Sequence, residues 1–117
     1  MATQTEIEAF LESFHAKMRV YQIVFRDDRS KNTQALADLE IVGRERIKII
    51  ESLQSIDYCE GPIAETLYQG AEMWVFGKEV KGNDVYIKIS MGKPGLSVIC
   101  ISFHIAEQPL TYPLKAN

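Results

Sequence analysis

Asp84-Val85-Tyr86-Ile87-Lys88-Ile89 and, after a turn, Ser97-Val98-Ile99-Cys100-Ile101-Ser102-Phe103-His104-Ile105 both alternate with period two. Successive side chains of a strand point to opposite faces, so each run is expected to be a β-strand with one apolar face for a core. In the first run Val85, Ile87 and Ile89 share a face, and Tyr86, Lys88 and Ser90 share the other. In the second, Ile99, Ile101, Phe103 and Ile105 are expected inward, with Val98, Cys100, Ser102 and His104 outward. Pairing through Met91-Gly92-Lys93-Pro94-Gly95 makes the polar faces coincide. Tyr86, Lys88 and His104 are then expected on one surface.

Upstream, Ala71 to Val80 reads as a third strand. Met73-Trp74-Val75-Phe76 is apolar on both faces, which suits a central position. Lys81-Gly82-Asn83-Asp84 is a hairpin turn. Residues 3 to 18 repeat Ile7, Phe10, Leu11, Phe14 and Met18 at helical spacing, and Thr3 with Glu6 matches a capping box. Val20 to Phe25 reads as a first strand and Arg26 to Asn32 as a charged turn. Residues 33 to 41 fit a short helix or an irregular strand. Residues 43 to 55 are expected to form a helix with Val42, Ile47, Ile50 and Leu53 on one side. Asp57 to Gly70 reads as a long connection, and a Pro-containing tail ends the chain at Pro109 and Pro113. Helices on one face of an antiparallel sheet predict a single α+β domain over residues 1–117.

The chain has 117 residues, a 46% hydrophobic fraction and a net charge of -3. One small soluble domain is expected. No apolar run approaches the ~20 residues of a membrane helix, and the polar, acidic N-terminus does not read as a signal peptide. A cytoplasmic protein that does not engage a membrane is the expectation. Cys59 and Cys100 lie far from any CxxC or Cys/His cluster, so neither a metal site nor a disulfide framework is expected. The net charge argues against a broad nucleic-acid surface but leaves room for a local basic cleft. Glu6, Glu8 and Glu12 load the first helix with acid, whereas Arg26, Arg29, Lys31, Arg44, Arg46 and Lys48 make the next segment basic. GxxxxGK[ST], GxGxxG, HExxH and GxSxG do not occur.

A phenol, an ammonium and an imidazole on one surface suit proton transfer around a phosphate. RNA cleavage by its own 2′-OH needs a base, an acid for the leaving 5′-oxygen and positive charge near phosphorus. On spacing alone a plain solvent-facing sheet surface is the favoured reading, since alternation makes polar outer faces routine. Gly77 reads as a bulge or as a place for a ligand to approach closely. Trp74 reads as core, Glu60 as a lone loop acid able to act as a base, and His15 as structural or exposed. Arg26, Arg29 and Lys31 form either a phosphate-contacting loop or a salt-bridged turn.

Asp57-Tyr58, Met73-Trp74, Val85-Tyr86-Ile87-Lys88-Ile89 and Val98-Ile99-Cys100-Ile101-Ser102-Phe103 resemble the C-terminal half of the MqsR family. These are type II toxins of bacterial toxin–antitoxin systems with a RelE-like fold. From about Phe10 to Lys115 the chain resembles a subgroup of small bacterial proteins assigned to that family. This stretch includes Phe25 to Gln34 and Met73 to Lys78. The resemblance implies an mRNA interferase, an endoribonuclease needing no metal or cofactor that leaves a 2′,3′-cyclic phosphate. It implies an mRNA substrate and a partner antitoxin, commonly with a helix-turn-helix domain. By position Tyr86 falls on a family active-site tyrosine, and His104 falls where the family has a functional lysine. Glu60 falls near a family lysine, and Val75 where a glutamine is expected. The catalytic set expected on this basis is His104, Tyr86, Lys78 and Lys88, with Lys78 replacing a missing cation. Arg26, Arg29 and Lys31 would contact RNA. Two alternatives remain open at this point: a non-catalytic RelE-like module that engages a protein, and a ribosome-dependent RNase.

Overall fold

The computed structural model describes residues 1–65 and 70–115. The first helix, α1 (Gln4–Tyr21), starts where the sequence places it. Thr3 accepts from the Glu6 backbone, and the Glu6 carboxylate accepts from Thr3 in return. This closes two of the donors that a helix start leaves open. The helix overruns its expected end and takes Val20 and Tyr21, so the following strand shrinks to β1 (Ile23–Phe25). Gln22, at φ 67°, reverses the chain between the two.

The charged turn is shorter than expected, because Ser30 to Asn32 already belong to α2 (Ser30–Asp38). The ambiguous segment is therefore helical as far as Asp38, and residues 39–41 leave the helix in a turn. α3 (Glu45–Glu51) ends before Ser52, and Val42, expected on its apolar side, is exposed. A 3-10 turn at Ser55–Asp57 leads into β2 (Tyr58–Ile63). The long connection expected over Asp57 to Gly70 thus contains a strand; its residues 66–69 lie outside the described residues. β3 (Met73–Val80), β4 (Asn83–Ser90) and β5 (Val98–Ile105) complete the chain. Lys81 and Gly82 both have positive φ, 51° and 82°, as a two-residue turn between right-twisted strands requires.

These elements make an α+β domain. The five-stranded sheet has the order β1-β5-β4-β3-β2. It is mixed rather than antiparallel, because β1 runs parallel to β5, with Ile23 opposite Val98. Alternation specifies faces but not direction, and the partner of β1 lies far along the chain. On one face Val85, Ile87 and Ile89 pack with Ile7, Leu11, Phe14 and Met18 of α1. Phe10 stacks on Trp74 with centroids 4.5 Å apart, which places Trp74 in the core as expected. No helix among the described residues is long and apolar enough to cross a membrane.

One irregularity decides what the opposite, open face carries. Lys88 pairs with Ser102, but the next residue, Ile89, pairs with Cys100. Ile101 is therefore an extra residue, a β-bulge, and side chains before it change faces. Val98 and Cys100 become core, while Ile99 and Ile101 turn to the open side. This reverses the strict alternation expected for the start of that strand. Buried Asn32 of α2 holds the bulge in place. Its amide nitrogen donates to the Arg26 and Ile101 carbonyls, both at 2.9 Å, and its oxygen accepts from the Phe103 backbone at 3.0 Å. Past the end of β1, the side chain stands in for a missing strand. Asn32→Leu keeps the volume and strands these polar groups. Urea unfolding is expected to show a loss of about 2–4 kcal/mol; a loss under about 0.5 kcal/mol, ordinary for a surface site, would show that the clamp is dispensable.

Candidate active site

Beyond the bulge the alternation holds as expected. Tyr86 lies opposite His104, and Lys88 opposite Ser102, on the open face. The phenol and imidazole rings stack with centroids 5.3 Å apart and planes 17° apart. The Lys88 ammonium stands 6.0 Å from the Tyr86 ring centroid. His104 Nδ1 lies 2.9 Å from the Ile105 carbonyl oxygen. A carbonyl only accepts, so Nδ1 carries the hydrogen and the neutral ring presents the lone pair of Nε2.

Arg29 and Lys31 approach from the turn and α2. Arg29 donates to Ser102 Oγ at 3.3 Å and, less closely, to the Ile101 carbonyl at 3.4 Å. Lys31 pairs with Glu107 at 2.6 Å. Together with Tyr86, Lys88 and His104 they line a cleft of about 290 Å³. Arg26 pairs with Asp28 at 3.2 Å and lies outside this cleft, along an adjoining pocket. Of the residues expected to contact RNA, two thus border the Tyr86–His104 pair and one sits further along.

Lys78 does not belong to the site. It pairs across the sheet with Val85, whose side chain is core, so it points to the helix side. There it binds buried Asp57 at 3.0 Å and lies 3.4 Å from the Ser52 carbonyl. Its charge compensates a carboxylate that also caps the Gln54 backbone. The expectation that Lys78 supplies a catalytic cation is corrected by this placement.

Glu60 is not on a loop. It stands on β2 opposite Val75, on the same face as Lys88. Burial first, and then the Glu60 and Cys59 charges, raise the Tyr86 hydroxyl above the usual phenol range. Burial first, and then Arg29, lower the Lys88 ammonium, with Glu60 acting in the opposite sense. The Tyr86 phenol therefore keeps its proton at neutral pH, and Lys88 and Arg29 act on each other as like charges. Neither cysteine is a nucleophile, since burial pushes the Cys59 thiol up to about 12 and the Cys100 thiol up as well.

The sequence reading missed the role of the tail. Ala106 donates to the Asp84 carbonyl at 2.8 Å, and Glu107, Gln108 and Leu110 form one wall of the cleft. Gly77 neither forms a bulge nor awaits a ligand; a Cβ there would collide with Tyr112 and Leu110. A glycine in a strand reports close approach, here by the chain's own tail. The signal for this was Gly77 itself, combined with the apolar Leu110 and Tyr112. No group of three or more His, Cys, Asp or Glu among the described residues is arranged to hold a metal.

Family models, curated proteins and solved structures yield no match to this chain. The family resemblance therefore rests on the motifs quoted from the sequence.

The turn that carries Arg29 is anchored by Asp27. Its carboxylate takes a two-pronged ion pair from buried Arg46, at 2.8 and 2.9 Å. The Arg46 hydrogen bonds hold the Asp27 carboxyl below the usual range. A depressed folded pKa stabilises above the unfolded value of about 3.9 and is lost as pH falls through the folded value. Wild type is expected to exceed Asp27→Asn in stability at pH 7, with the gap closing in acid below about pH 4. Denaturant melts at a series of pH values check this, and a gap that stays constant down to pH 2 contradicts it.

Proposed function

We propose that this chain is a metal-independent endoribonuclease, acting as the toxin of a type II toxin–antitoxin system related to the MqsR family. The observation that carries the reading is the stacked Tyr86–His104 pair in one cleft with Lys88 and Arg29. It assembles a base, an acid and positive charge, the groups that phosphodiester transfer requires.

In the proposed step the ribose 2′-oxygen attacks phosphorus as His104 Nε2 removes its proton. The bond to the 5′-oxygen breaks, and that oxygen takes a proton from the Tyr86 hydroxyl. The products are a 2′,3′-cyclic phosphate and a free 5′-hydroxyl, with no water consumed. Lys88 and Arg29 stabilise the charge that develops on the non-bridging oxygens. A lysine at the His104 position acts as a base only after losing its charge, whereas an imidazole can accept or donate a proton near neutrality. The substitution seen here is therefore consistent with catalysis. The Lys31–Glu107 pair stands on the border of the cleft. Expected partners are mRNA and a neutralising antitoxin, consistent with the resemblance.

Induction in bacteria tests the proposal. Wild type is expected to arrest growth and cleave transcripts. His104→Ala should lower cleavage about 100-fold or more, the usual share of a general acid or base. Lys78→Met should leave the cleavage rate unchanged while lowering stability. Arrest without cleavage would contradict the nuclease reading. Cleavage confined to translated messages would replace it with a ribosome-dependent RNase.

A further inference from the structure

Down the strands from the Tyr86–His104 pair, the open face holds a second and larger pocket of about 490 Å³. It shares Arg29 and Lys88 with the candidate active cleft, so the two adjoin. Its floor includes the aliphatic side chains of Met73, Ile99 and Ile101. The bulge at Ile101 puts the two isoleucines there, both partly exposed. An open sheet face is ordinarily polar. This one places half-exposed aliphatic groups directly beside two cations.

We propose that this pocket is a nucleobase subsite. It takes the unstacked base of the nucleotide adjoining the scissile bond, with phosphate held between Arg29 and Lys88. The proposal rests on the RNA-cleavage reading of the neighbouring cleft and specifies how substrate lies across it. Tyr86 to Ser90 spans about 13 Å along the strand, room for a nucleotide beside the reacting one. The pocket volume falls in the range of about 300–1,000 Å³ usual for small-ligand sites. The aliphatic floor suits the flat face of a base, which packs on apolar side chains once it leaves its stack. Ser90 Oγ is occupied by the Ala71 carbonyl and the Gly92 backbone, both at 3.2 Å. It therefore shapes the wall, and base edges meet Lys93 and Asp28 at the rim. An aliphatic peptide side chain would also fit the floor. Arg26, Arg29, Lys88 and Lys93 outnumber Asp28 and Glu65 in the lining, and this cationic excess favours a ligand in which every apolar group travels with an anion, as in a nucleotide chain.

The test uses a short RNA whose cleavage position has been mapped, with each flanking base removed in turn to leave an abasic ribose. Removal at one flanking position is expected to lower kcat/KM about tenfold in the wild type. It is expected to have no further effect in Ile99→Ser. Tolerance of abasic ribose at every flanking position, or an equal loss in both proteins, would overturn the subsite. Because Ile99→Ser sits in the sheet, a second measurement uses the unaltered chain. Its methyl NMR signals are followed on titration with the same oligonucleotide carrying a 2′-deoxy scissile position. Base-dependent shifts at Ile99, Ile101 and Met73 support the subsite. If the normal RNA is not cleaved, such shifts keep the subsite and discard the nuclease reading. Shifts confined to the surroundings of Tyr86 and His104 discard the subsite and keep that reading. Absence of any shift discards the subsite, as do concentration-dependent shifts at these methyls without RNA, which would assign the floor to a second copy of the chain.

Discussion

The side-chain amide of Asn32 is the contact on which the open face depends. It gives two hydrogen bonds and accepts one, all to backbone groups around the Ile101 bulge. A buried carboxamide satisfied in this way is worth far more than its size, because removing it leaves several polar groups buried and unpaired. The bulge it holds sets two registers in one strand. After Ile101, Ser102 and His104 meet Lys88 and Tyr86; before it, Val98 and Cys100 serve the core. Unbroken alternation would have driven one set or the other to the wrong face. Through Asn32, α2 is thus tied to the geometry of the candidate active site and of the aliphatic pocket beside it.

Charge placement explains how a chain of net charge -3 presents a basic cleft. Several cations are neutralised away from it or at its margin. Lys78 serves Asp57 on the helix side, Arg46 serves Asp27, and Lys31 meets Glu107. Arg29 and Lys88 lie together at the cleft, where burial and then Arg29 lower the Lys88 ammonium and Glu60 on the same face opposes the shift only in part. Such a pair gains most from an anion that satisfies both. Tyr86 and His104 lie on one side of that pair and the isoleucine floor on the other. The order of acid and base, cations, then apolar floor matches the sequence of groups along one nucleotide step.

Local signals in the sequence were read well. The capping box of α1 needs only Thr3 and Glu6, and the stripe from Ile7 to Met18 follows from helical spacing. The common face of Tyr86, Lys88 and His104 was legible because alternation continues undisturbed through those residues. The direction of β1 and the bulge at Ile101 were not, since both depend on partners distant in the chain. The position of Lys78 was legible in principle. The two-residue turn at Lys81-Gly82 fixes Val80 opposite Asn83, and therefore Lys78 opposite core-facing Val85. The family resemblance alone places Lys78 in the site; the strand register places it on the helix side. Glu60 was misplaced because Gly61 and Pro62 read as a loop; they belong to an irregular edge strand, where proline is tolerated.

Chemical identification of cleavage products bears most directly on the claim that this face performs metal-independent RNA cleavage. Purified protein would be incubated with end-labelled RNA in excess EDTA and the new termini identified by mass spectrometry. A 2′,3′-cyclic phosphate upstream and a 5′-hydroxyl downstream is the expected result, and both should disappear with His104→Ala. Intact RNA, or termini carrying a 3′-hydroxyl and a 5′-phosphate, would contradict it.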